Sequence, residues 1–109
     1  MNHVVSKWLI QRIAAVLLMP LLLWFLLNFD NLMYLNYSQA VMFLKNKINL
    51  LILSLIFLLA FLHLKIGMGE IFEDYLHNTK IKKLANFLIL LISIIIPVAA
   101  ISAMVIVGL

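Results

Sequence analysis

Three long apolar stretches, separated by the chain's polar clusters, set the pattern. Ile13 to Phe29 is broken only by the polar Asn28, Ile48 to Leu64 contains Ser54 and His63, and Leu84 to Leu109 contains Asn86, Ser93 and Ser102. A bilayer's hydrocarbon core of about 30 Å needs roughly 20 helical residues at about 1.5 Å rise each, so every stretch spans once its flanks are included. The pattern therefore predicts an all-α membrane protein with three transmembrane helices, over about 8–29, 47–66 or longer, and 84–108. Unbroken runs of Leu and Ile lack the short alternating strands of a membrane barrel.

Composition closes off the soluble alternative. Of 109 residues, 67% are hydrophobic and 11% charged, with a mean hydropathy of +1.21. A chain this small has too much surface to hide that content in a core of its own, so lipid must be part of its solvent. There is no cysteine, which removes disulfides, thiolate metal sites and self-held iron–sulfur clusters. The first span is longer than a signal-peptide core and is followed by Asp30, Asn31 and the aromatic run Met33-Tyr34-Leu35-Asn36-Tyr37 rather than a small-residue cleavage site, so it is expected to be retained.

The basic residues are unevenly placed. Lys7 and Arg12 precede the first span and Lys65, Lys80, Lys82 and Lys83 lie between the second and third, against Lys45 and Lys47 in the first loop. Basic residues favour the inner side, so the N-terminus and the Lys65–Lys83 segment are expected on the cytoplasmic or matrix face. The net charge of +4 is thus an orientation signal, without the aromatic–basic interleaving of a nucleic-acid binder. Three helices on short loops enclose little on their own, so partner subunits are expected. Ala99 and Ala103 have the small-xxx-small spacing of membrane helix contacts, and Pro97, like Pro20, either bends its helix or is simply tolerated there.

The chemistry concentrates between Ala60 and Tyr75. An intramembrane histidine needs partners for its ring nitrogens, so His63 suits a structural hydrogen bond, haem ligation or proton transfer. If the helix continues beyond Lys65, Gly67 shares the His63 face and leaves room for a flat ring. Asp74 then falls eleven residues on, about 20° from the His63 azimuth and roughly 16 Å along the axis. Should Gly67 and Gly69 end the helix, the shared face is lost. Asp74 and Tyr75 suit either the polar end of a quinone pocket or an ordinary membrane-boundary pair. Glu70 and Glu73 read as a solvated face, and His3 and His77 as solvent or interface residues.

The run His63-Leu64-Lys65-Ile66-Gly67-Met68-Gly69-Glu70-Ile71-Phe72-Glu73-Asp74-Tyr75, with Arg12 upstream and three spans in order, resembles the D-type hydrophobic anchor subunit of haem b-containing succinate dehydrogenases with two anchors. The resemblance implies one membrane-anchor domain over residues 1–109. It makes His63 one axial ligand of haem b, the other coming from a C-type anchor, and places Arg12 near a haem propionate. It assigns Asp74 and Tyr75 to the ubiquinone site beside the iron–sulfur subunit. FAD and the iron–sulfur clusters would then reside in soluble flavoprotein and iron–sulfur partners, with no catalytic residue in this chain. The rival class is a small oligomeric transporter or channel using His63 and Asp74 for ions or protons, and a third is a purely structural assembly protein. With no Ser- and Arg-rich presequence in view, a bacterial cytoplasmic membrane is expected, with the mitochondrial inner membrane as the alternative.

Overall fold

The computed structural model describes residues 3–109, and among them every regular element is a helix: α1 (His3–Leu27), α2 (Phe29–Met33), α3 (Tyr37–Lys45), α4 (Lys47–Tyr75) and α5 (Thr79–Val107). α1, α4 and α5 are each long and apolar enough to cross a membrane. With 25, 29 and 29 residues, they measure roughly 38 to 44 Å at about 1.5 Å per residue, so each overruns the hydrocarbon core.

Asparagine punctuates these helices. Asn28 stops α1 two residues before the expected end, its side-chain amide donating to the Trp24 carbonyl at 2.8 Å. Asn78 starts α5 five residues before the apolar run, its carbonyl oxygen accepting from Lys80 and Ile81 backbone amides at 2.9 and 3.3 Å. The first loop folds into two short helices that hydropathy does not predict. Asn36 and Gln39 form a reciprocal capping box at the start of α3, which satisfies two backbone groups there. Asn46 ends α3 and caps α4 within a single residue, accepting from the Ile48 amide at 3.0 Å. Caps satisfy helix-end amides that have no partner within the helix, so local polar chemistry sets these ends.

α4 is the central member and packs against both α1 and α5, while α3 lies against α4 and α5. The whole measures 50 × 25 × 25 Å. Among the described residues only Ala14, Leu18, Ile66, Ile89 and Pro97 are buried. Large apolar side chains from Val4 to Leu109 face outward instead. A water-soluble protein cannot present such a surface, so lipid or other apolar chains must cover it. Ala99 and Ala103 are among the exposed positions. Pro97 is buried, whereas Pro20 is exposed.

Candidate functional site

α4 passes through Gly67 and Gly69 without interruption, and no residue with positive φ occurs among those described. The condition for a shared face is therefore met. His63, Gly67 and Asp74 stand on one continuous helix, with offsets of about 40° and 20° from His63 at 3.6 residues per turn. α1 and α5 run antiparallel to α4, so Trp8, Ile66 and Ile89 meet around one cleft, and the N-terminal half of α1 lies beside the C-terminal half of α4.

His63 is exposed, and its ring has no hydrogen-bond partner among the described residues. Its backbone carbonyl accepts a 3.4 Å hydrogen bond from the Gln11 side-chain amide on α1. The same amide nitrogen lies 3.5 Å from where a Cβ on Gly67 would stand. Gln11 therefore fixes which level of α1 faces His63, and Arg12 is its immediate neighbour. The Arg12 guanidinium sits over the Trp8 ring, 5.2 Å from the centroid, a cation–π contact one turn toward the N-terminus. No carboxylate pairs with it among the described residues.

Asp74 and Tyr75 are the last two residues of α4. Both are exposed, Tyr75 by 76%, and neither side chain bonds to another described residue. The structure thus leaves an imidazole and a guanidinium at one level, and a carboxylate and a phenol at the end of the same helix, all on open surface.

A separate concavity lies beside these residues. A half-open cleft of about 640 Å³ runs between α1, α4 and α5, with Lys7, Lys65, Glu70, Glu73 and Asn86 among its lining. None of His63, Arg12, Asp74 or Tyr75 borders it. Glu73 is exposed, as a solvated face residue is, and its carboxylate meets the Lys82 ammonium of α5 at 3.4 Å. This exposed pair stabilises by about 0–1 kcal/mol. Sequence reasoning passed over Gln11, although a lone amide one residue before Arg12, among apolar neighbours, was the available signal.

No cluster of three or more His, Cys, Asp or Glu able to hold a metal occurs among the described residues. A single imidazole with free nitrogens supplies one axial position, and the adjacent cation suits a carboxylate-bearing ligand. These residues fit one side of a haem-like group carrying carboxylates, while the Gly67 Cβ direction is taken by the Gln11 amide at 3.5 Å.

Comparison with known proteins gives a consistent result. Residues 2–105 match the family described as succinate dehydrogenase/fumarate reductase transmembrane subunit. The chain is 34% identical over 92 residues to the succinate dehydrogenase membrane anchor subunit of Reclinomonas americana, an alignment covering 80% of this chain and 75% of that protein. No solved structure matches.

Proposed function

The chain belongs to the succinate dehydrogenase/fumarate reductase transmembrane subunit family, and from that footing we propose that it anchors a succinate:quinone oxidoreductase, supplies one haem b ligand and forms part of the quinone site. Family membership favours this reading over a transporter, and a purely structural anchor would differ from it in giving no quinone response. The observation that carries the site assignment is the exposed, unpartnered ring of His63 on α4, level with the Gln11–Arg12 pair of α1.

Bound haem supplies a one-electron redox centre. His63 would hold it through one ring nitrogen, with a second ligand supplied by a C-type anchor. The exposed guanidinium of Arg12 neutralises a propionate, and its stacking on Trp8 limits the orientations it can take. At the end of α4, the Tyr75 hydroxyl donates to a ubiquinone carbonyl, which becomes more basic as the quinone is reduced. Asp74 beside it orders water that carries protons to the same oxygen. Electrons reach the quinone from an iron–sulfur subunit seated on this end of the bundle, itself fed by a flavoprotein subunit that oxidises succinate.

The clustering of Lys7, Lys65 and Lys82 around one end supports placing that end on the cytoplasmic face of a bacterial inner membrane, or on the matrix face of a mitochondrial one. The test is isolation of the intact complex in mild detergent. A reduced-minus-oxidised b-type spectrum with co-purifying flavin and iron–sulfur subunits is expected, and His63→Ala should abolish it while the subunits still co-purify. An unchanged spectrum in that variant would sink the ligand assignment, and a colourless homo-oligomer would sink the anchor complex altogether.

A further inference from the structure

Two groups on residues joined at the His63 level, the Gln11 side-chain carbonyl and the His63 ring, have unfinished hydrogen bonding. The Gln11 side chain has donated its amide to the His63 carbonyl, yet its carbonyl oxygen Oε1 is buried with no partner. An amide oxygen in that state has given up water and received nothing in return, so a donor is expected close by. The His63 ring likewise has no partner among the described residues. A histidine that ligates iron through one nitrogen has an N–H left on the other, and in metal sites that N–H is almost always taken by a nearby acceptor, which orients the ring and raises its basicity.

We infer that Gln11 is the positioning residue of the His63 imidazole, its buried side-chain carbonyl being the acceptor for the ring N–H that ligation leaves over. The inference rests on the haem reading above and deepens it. Both groups belong to residues already joined by a hydrogen bond through the His63 backbone. Gly67 is part of the arrangement, because a Cβ there would lie 3.5 Å from the Gln11 amide nitrogen. Alanine makes ordinary contact at that distance, whereas a branched residue pushes the amide away from His63.

The experiment compares Gln11→Leu and Gln11→Glu in the intact, haem-loaded complex, with the haem midpoint potential and low-spin electron paramagnetic resonance spectrum as readouts. Both variants lose the amide that clamps α1 to the His63 carbonyl, but only the glutamate keeps an acceptor, and a stronger one. A residue that merely joins the helices would give the same change in both. The acceptor role predicts opposite shifts: the potential rises for leucine, where the ring loses basicity, and falls for glutamate. Gly67→Val should move the potential the same way as Gln11→Leu, and Gly67→Ala should leave it near that of the parent protein, which keeps the test open if the buried glutamate prevents assembly.

Potentials unmoved in Gln11→Leu, or moved in the same direction by leucine and glutamate, overturn the inference. If the parent complex holds haem and His63→Ala removes it, such a result leaves the ligand assignment intact and removes only the role of Gln11. If the parent complex holds no haem, both fall together.

Discussion

The two ends of this bundle treat their polar groups in opposite ways. Around α3, the side chains of Asn36, Gln39, Asn46 and Asn49 find partners inside the chain. Asn36 and Gln39 cap each other's turn, Asn46 caps α4, and the Asn49 side-chain amide donates to the Phe43 carbonyl at 3.1 Å. Trp24 and Phe43 add a tilted ring contact between α1 and α3, with centroids 6.3 Å apart. At the other end, the His63 ring, the Asp74 carboxylate and the Tyr75 hydroxyl have no protein partner among the described residues, and Arg12 has only the face of Trp8. An apolar environment makes unpaired polar groups costly. His63, Asp74 and Tyr75 are therefore side chains left available to other molecules.

The contrast is broken most severely by uncoupling the levels within the open end. One alanine inserted after Gly69 leaves His63 and Gln11 in place but rotates Glu70–Tyr75 by about 100° around the helix. Quinone reductase activity is expected to fall at least about 10-fold while the b-type spectrum persists, as measured on the same membranes. Equal loss of both signals would mean that α4 does not carry them separately.

A change at the self-contained end should act on stability instead. A Cβ on Gly108 would approach the Leu44 carbonyl oxygen to 2.8 Å, and that oxygen belongs to the backbone of α3. Gly108→Val is therefore expected to cost about 1–3 kcal/mol, the usual range for overpacking. The check is earlier thermal dissociation of the complex with an unshifted haem potential. A shifted potential would show that the two ends are coupled.

The smallest effect is expected from Tyr75→Phe, which keeps the ring and removes one donor. With a hydrogen bond contributing about 0.5–1.5 kcal/mol, quinone turnover should drop roughly 2- to 10-fold with assembly unchanged. Unaltered quinone kinetics would remove Tyr75 from the site.

What was legible in the sequence followed from chemistry that acts over long runs. Hydrophobicity revealed the three spans because roughly 20 consecutive apolar residues have few alternatives, and the His63–Tyr75 run carried the family resemblance. The end of α1 and the start of α5 were harder, because Asn28 and Asn78 act through local hydrogen bonds that average hydropathy does not register. α2 and α3 were hidden for the same reason, although Asn36 followed three residues later by Gln39 is a readable capping signal. Gln11 was missed because its importance lies in where α1 crosses α4, a tertiary fact. Whether α4 survives its two glycines also needed the structure, since isolated helix propensity argues against Gly67 and Gly69, while packing against α1 and α5 overrides it.

The unbroken course of α4 from Lys47 to Tyr75 makes the interval between His63 and Asp74 a quantised one. Residues can be added or removed there only in steps of about 1.5 Å and 100°, and the steps that nearly restore the phase are rare. Relatives that keep both sites on this helix should tolerate many substitutions between them yet almost never change the residue count, so the spacing would outlast the residues that fill it.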